Sequence, residues 1–309
     1  MPSRVLVTGG AGFIGSNLVR TLLERGDDVR VLDNFSTGSR QNLAGLGVEI
    51  VEGELRSYER VHNAVRGVEL VYHLGALGSV PRSVQDPLTS SAVNIEGTLN
   101  VLLAARDENV RRVVFSSSAS VYGSSASLPS TEDLPPDPIS PYGVAKLAAE
   151  RYCVSFSRVY ESFESVVLRY FNVFGPRQSP YSQYAAGVPL FITAIAAEQP
   201  ITIYGDGEQS RDFTYVGNVV DATIRAGEAE GASGEILNVA AGAPASVNTV
   251  ADTIGAILGK PVRRDHLPPR PGDIRNSWAD LSKSERVLGY RPAVGLDEGL
   301  RRTIEFLHG

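Results

Sequence analysis

The sequence predicts an α/β fold, a doubly wound parallel sheet with a smaller C-terminal lobe interleaved with it. Three observations carry this reading. Short runs rich in Val, Ile and Leu recur through the first half of the 309-residue chain. Amphipathic stretches of helical period lie between them, as crossover helices do between buried parallel strands. After about residue 174 prolines and glycines thicken, the texture of loops and short excursions.

Taken in order, "RVLVTGG" reads as the first strand and "FIGSNLVRTLLERG" as the first helix, with Gly26 as its stop signal. "VRVLDN", "VEIVEG", "VELVYHLG", "RRVVFSSS" and "ESVVLRYFNVFG" read as further strands, and "SPYGVAKLAAER" opens a long helix. Beyond them lie the loops "GPRQSPYSQYAAGVP", "YGDGEQSRDF" and "LPPRPGD", while "GEILNVAAG" looks like a strand returning to the sheet. Residues 1–174 are expected to form the nucleotide-binding domain and 175–309 the substrate lobe, partly interleaved with the sheet.

Composition excludes several classes. At 42% hydrophobic and 21% charged the chain is globular rather than disordered. No apolar run approaches the length of a membrane span. A net charge of −6 opposes general nucleic-acid binding, so anionic ligands have to be held by local cations. Cys153 is the one cysteine, expected as a packing residue; with no export-like leader in "MPSRVLVTGGAGFIGS", a cytoplasmic protein is expected. His62, His266 and His308 lack metal-ligand spacing, so no metal is expected, and His73 reads as a hydrogen-bonding support at a strand end.

The stretch "VTGGAGFIGS" places Gly9, Gly12 and Gly15 between a strand and a helix. Glycines there permit a tight turn and close approach of backbone to a pyrophosphate, and the helix start offers N–H groups and a positive dipole end. Asp33 ends the next strand, where a carboxylate accepts from adenosine ribose hydroxyls and repels a 2′-phosphate. Together they point to a Rossmann-type site for NAD.

Tyr142 and Lys146 are four residues apart at a helix start and so share a face. Alone, the pair fits an ordinary amphipathic surface as readily as a catalytic one.

In joint order, "TGGAGFIGS", "DNFSTG", "YHLGALGSVPRSV", "VNIEGTLNVL", "VVFSSSASVYG", "SPYGVAKLAAE", "RYFNVFGPRQ", "GDGEQSRDFTYV" and "RPGDIRNSWADLSK" resemble the extended short-chain dehydrogenase/reductases, in particular their nucleotide-sugar 4-epimerases. The resemblance implies a catalytic trio of Ser118, Tyr142 and Lys146. It implies NAD contacts from Phe13, Ile14, Asn34, Ser36, Thr37, Gly38, Glu54, Leu55, Leu74, Gly75, Ala76, Asn94 and Phe171 beside Tyr142, Lys146, the glycines and Asp33. Glu54 stands where the family has Asp, and Gly75 where it has Ala. For a UDP-sugar it nominates Ser118, Ser120, Asn172, Arg211, Arg270, Asp273 and Ser277; guanidinium forks suit phosphate oxygens. A homodimer through the helix at Tyr142 and the one near residues 93–106 is likewise implied.

The implied reaction inverts the sugar at C4 through a 4-keto sugar. A phenol needs its pKa lowered to act as base, and a cation at about 5 Å contributes roughly 3 kcal/mol, or about 2 units, at an effective dielectric near 20. The small Ser277, where hexose-only epimerases resemble one another in carrying Tyr, favours UDP-GlcNAc/UDP-GalNAc alongside UDP-Glc/UDP-Gal. A UDP-glucuronate 4-epimerase is the nearest alternative, although Asn172 and Ser179 depart from its pattern and only Arg177 or another cation is left to hold a carboxylate. Ser120 replaces the acid that superfamily dehydratases and decarboxylases carry before "VYG". A non-catalytic NAD-binding sensor is the alternative of a different class.

Overall fold

The central sheet uses strands β1 (Arg4–Thr8), β2 (Asp28–Asp33), β3 (Glu49–Glu52), β4 (Leu70–His73), β5 (Arg112–Ser118) and β6 (Glu164–Tyr170). Its order is β3-β2-β1-β4-β5-β6, completed by Ile236–Val239 beyond β6, and every pairing is parallel. The structure, a computed structural model, describes residues 3–124, 127–179, 187–269 and 274–308.

Strand β1 shows why the sheet is covered on both faces. Val5 and Val7 enter one buried layer and Leu6 the other, as the two-residue period of a strand requires. The first layer takes Leu18, Val19 and Leu22 of helix α1 (Phe13–Glu24) together with Val219, Val220 and Ala222 of Val216–Glu228. The second takes Val61 and Ala64 of α2 (Tyr58–Val65), and, beyond the short helices α3 (Val80–Gln85) and α4 (Pro87–Ser91), Val101 and Leu102 of α5 (Gly97–Asp107) and Ala149 and Cys153 of α6 (Pro141–Val159). Each Val or Leu among them contributes about 1.5–3 kcal/mol on burial. Cys153 is fully buried there, and burial pushes its thiol up, so it packs rather than reacts.

The chain crosses residue 174 without leaving the sheet behind. Ile236–Val239 pairs with Val167–Tyr170, and Val216–Glu228 shares the first layer with α1. Around the C-terminal ends of the strands lie short ladders, among them Ser210–Arg211 flanked by Ala245–Ser246 and Asn276–Ser277. Asp212 pins this lobe to the sheet. Its buried carboxylate accepts from the N–H groups of Ala241 (2.7 Å), Gly242 (3.0 Å) and Ala279 (3.3 Å). Among the described residues no helix is long and apolar enough to cross a membrane.

Candidate active site

The strand order reverses between β1 and β4, whose last register pair is Thr8 with His73. Ligand crevices of open α/β sheets form there, past the carboxyl ends of the strands. Gly9 follows Thr8 at φ +70°, and a Cβ on it would stand 2.7 Å from the Gly75 nitrogen. A Cβ on Gly15 would stand 2.1 Å from the Gly9 carbonyl oxygen. Both positions therefore need glycine for close approach of backbone to backbone. Gly12 is the N-cap of α1 and no side chain caps that helix start, where Phe13 and Ile14 are half-buried.

Asp33 organises this cradle. One carboxylate oxygen accepts from the Ala11 N–H (2.9 Å) and the other from that of Phe35 (2.8 Å). The following loop closes over the cradle: Asn34 accepts from the Ser36 N–H, Ser36 and Thr37 are exposed, and Gly38 lies so near Ala11 that a Cβ would stand 2.8 Å from its carbonyl carbon. On the other side of the crevice Leu74, Gly75 and Ala76 are half-buried. A Cβ on Gly75 would meet the Leu55 Cδ1 at 3.0 Å and the Thr8 Oγ1 at 3.1 Å, so glycine at this position is matched to the packing of Leu55.

Two expected contact residues face the protein itself. Asn94 is buried, its Oδ1 accepting from the Leu77 N–H (2.8 Å) and its Nδ2 donating to the Leu77 carbonyl (3.2 Å); it braces the loop rather than reaching past it. The Phe171 ring is wholly buried in a cluster with Val121, Tyr122, Ala240 and Ala279, which leaves only its backbone for a ligand. Glu54 pairs with Arg56 on the surface. His73 is a support: its ring nitrogens bond Thr8 Oγ1 (2.7 Å) and Thr98 Oγ1 (3.0 Å), and burial holds it neutral, down to about 3.

Helix α6 brings in the remaining groups. Ser140 caps it by accepting from the Gly143 N–H (3.1 Å), Pro141 stands at its first turn, and the Tyr142 N–H donates to Ser83 Oγ (3.1 Å). The half-buried Tyr142 side chain is near enough to Ser118, at the end of β5, for that hydroxyl to act on its phenol. Ser118 also donates to Ser120 Oγ (3.0 Å). Lys146 is buried, its Nζ donating to the Ser116 carbonyl at 2.7 Å and lying 6.0 Å from the Tyr142 ring centroid. Burial pushes the phenol up to about 12, against the pull of Ser118. Among the protein's own groups desolvation thus outweighs the downward pull on this phenol, and the expected lowering rests on Lys146 together with a bound cationic nicotinamide. Burial in turn pulls Lys146 down to about 8.

On the substrate side Arg211 and Ser277 are register partners in adjacent strands, and the Asp212 N–H donates to the Ser277 carbonyl (2.9 Å). Asn172 is exposed at φ +27°, an unusual backbone conformation for a non-glycine residue. Arg270 and Asp273 lie outside the described residues. Arg177 turns away from the crevice, donating to Asn17 Oδ1 on α1 (3.1 Å) with its guanidinium 5.0 Å over the Phe306 ring. Ser117, Glu150 and Arg169, which extend the α6 stripe inward, were not singled out by the motif reading. The signal was the continued four-residue spacing from Tyr142 through Lys146 to Glu150.

A relative called UDP-glucose 4-epimerase from Mycolicibacterium smegmatis is 39% identical over 98% of each chain. A UDP-glucuronate 4-epimerase from Thermodesulfobacterium geofontis is 32% identical over 97% of this chain and 95% of its own. Among solved structures, UDP-N-acetylglucosamine 4-epimerase from Methanobrevibacter ruminantium M1, in complex with UDP-N-acetylmuramic acid, superposes with a TM-score of 0.94 at 38% identity, covering 99% of this chain and 98% of that one. With a glycine turn at the switch point braced by Asp33 and a Ser–Tyr–Lys cluster, and with the family model for NAD dependent epimerases and dehydratases matching residues 5–240, the chain belongs to the NAD dependent epimerase/dehydratase family.

Proposed function

We propose that this protein is a UDP-sugar 4-epimerase with Ser118, Tyr142 and Lys146 as its catalytic groups. The observation that carries the reading is the proximity of Tyr142 to Ser118, with the buried Lys146 one turn along the same helix and held by the Ser116 carbonyl, together with the cradle built by Gly9, Gly12 and Gly15. NAD when bound supplies a hydride acceptor and returns the hydride, so no net redox change results. Tyr142 takes the proton from the sugar C4 hydroxyl, directly or through Ser118, and gives it back after the 4-keto sugar has turned over. The phenol starts high, near 12, so its ionisation draws on the positive charge of oxidised nicotinamide as well as on Lys146. In this reading Asp33 holds the ribose and Arg211 the pyrophosphate, with Asn172 donating to a phosphate.

Ser277 beside Arg211 supports a pocket open at the sugar C2 substituent, hence UDP-GlcNAc/UDP-GalNAc and UDP-Glc/UDP-Gal as substrates. A uronic acid needs a cation for its carboxylate, and Arg177 is committed to Asn17 and Phe306. We further read the protein as a cytoplasmic homodimer joined through α6 and the helix that runs through Ala92–Glu96 and Gly97–Asp107. Val84, Leu88, Val144, Tyr152 and Val159 are exposed apolar side chains on α3, α4 and α6, and a second copy is the occupant that the family resemblance implies.

Incubation with UDP-glucose, UDP-N-acetylglucosamine and UDP-glucuronate, followed by separation of the C4 epimers, tests the reading. Conversion of the first two is expected. Conversion of UDP-glucuronate alone refutes the sugar assignment, and conversion of none refutes the reaction. Light scattering tests the dimer.

A further inference from the structure

Three consecutive serines at the end of β5 meet three turns of α6. Ser116 offers its carbonyl to Lys146 (2.7 Å), Ser117 donates its hydroxyl to Glu150 Oε1 (2.6 Å), and Ser118 is near Tyr142. Tyr142, Lys146 and Glu150 are spaced four apart and lie along one face of the helix. Glu150 is 0% exposed and is gripped by Arg169 of β6, 1% exposed, through two bonds of 2.9 and 2.8 Å. The Arg169 guanidinium lies 4.6 Å over the Tyr122 ring, and its Nη1 has no hydrogen-bond partner among the described residues.

A buried ion pair stabilises a fold little, if at all, relative to well-packed apolar side chains, since both ions lose their water. Placement gives this one a use. The groups facing Lys146 are Tyr142, Glu150 and Cys153 on α6, His73 on β4, and the Ser116 carbonyl and Phe115 ring on β5, with Arg169 of β6 behind Glu150. His73 is held neutral by burial, and the buried Cys153 thiol is pushed up and stays protonated. Glu150, ion-paired with Arg169, is the one carboxylate among them.

We propose that Glu150, clamped by Arg169, is a positioning residue of the epimerase site: it keeps Lys146 a cation and, through Ser117, sets the end of β5 so that Ser118 meets Tyr142. This rests on the function proposed above. The opposing forces on Lys146 agree with it, because burial pulls the ammonium down to about 8 while Cys153 and Glu150 act upward, and burial keeps the Cys153 thiol protonated. Loss of Glu150 lowers Lys146 further, so the cation is lost at lower pH as pH rises.

The test is the pH profile of kcat for UDP-N-acetylglucosamine with the holoenzyme, for Glu150→Gln, Glu150→Asp and the double variant Glu150→Gln/Arg169→Gln, with Tyr142→Phe as reference. For Glu150→Gln the high-pH limb is expected to move down by about one unit, so that kcat falls about twofold at pH 7 and about tenfold at pH 9, with KM within about twofold. Glu150→Asp restores part of the shift. The double variant leaves no unpaired buried charge, so it reports even if Glu150→Gln does not fold, and a smaller downward shift is expected from it. A limb and a kcat equal to wild type in either folded Gln variant overturn the inference, as does a uniform loss at every pH with the limb unmoved. Failure of both Gln variants to fold overturns it too, because the pair is then structural. An active Tyr142→Phe overturns the underlying reading instead, so the two failures are told apart.

Discussion

The starts of α1 and α6 solve opposite problems with the same kind of backbone. Helix α1 begins at Gly12 with no side-chain cap and no acid in its first turn. Helix α6 begins at Ser140, which takes the Gly143 N–H, and Ser83 takes that of Tyr142. An uncapped start keeps N–H groups and the positive dipole end for a ligand's phosphates. A capped start spends them internally and holds its side chains still. Accordingly α1 contributes backbone to the site and α6 contributes side chains, and the two differ in how they tolerate substitution: a Cβ is enough to damage the first, while the second is damaged by loss of a functional atom.

The largest separation between them is expected from Tyr142→Phe. Removing one hydroxyl from α6 should lower kcat by about a thousandfold while the NAD released on denaturation stays at one per chain. Gly15→Ala should do the reverse. Its Cβ would collide with the Gly9 carbonyl at 2.1 Å, and relief of that overlap at a cost of about 2–3 kcal/mol weakens NAD about 30- to 150-fold, read by NAD content after gel filtration. Between pH 6 and 9 the two ends should also part company. NAD retention stays level, while kcat falls as pH rises through about 8, where the buried Lys146 gives up its proton; a kcat that keeps rising to pH 10 contradicts this. The smallest effect is Ser140→Ala, a lost cap worth about 1 kcal/mol, seen as a drop of a few degrees or less in Tm with NAD content unchanged.

Asp212 adds a pH effect on stability that belongs to the lobe rather than to either helix. Burial raises its carboxyl to about 6, against the pull of the Ala241, Ala279 and Gly242 N–H groups. A folded-state pKa above the unfolded one contributes stability that is full below about pH 4 and is lost as pH rises through about 6. The Tm difference between wild type and Asp212→Asn should therefore shift against wild type over that interval.

Much of the cradle was legible because each of its requirements is local. Gly9 needs a positive φ and Gly15 needs no Cβ, and both needs are written at fixed offsets between a strand and a helix. The Tyr142–Lys146 spacing was legible for the same reason. Asn94 and Phe171 were placed in the right neighbourhood, but their side chains turn to Leu77 and Tyr122, and nothing within a short window distinguishes a residue that touches a ligand from one that braces the loop touching it. Arg177 was open to a role at a sugar carboxylate until the fold engaged its guanidinium with Asn17 and the Phe306 ring.

From the sequence alone came the parallel α/β class and the glycine turn with Asp33, because strand period and glycine spacing are properties of neighbours along the chain, while the family and the reaction type came with the resemblance of its motifs taken in order. Only the tertiary structure decided that Ser116, Ser117 and Ser118 engage Lys146, Glu150 and Tyr142, that Arg169 closes the buried end of that stripe, and that Lys146 sits 6.0 Å from the phenol ring it was expected to activate. Those facts depend on how β5, β6 and α6 pack across three separate segments, and on desolvation, which has no value until the surroundings of a group are known.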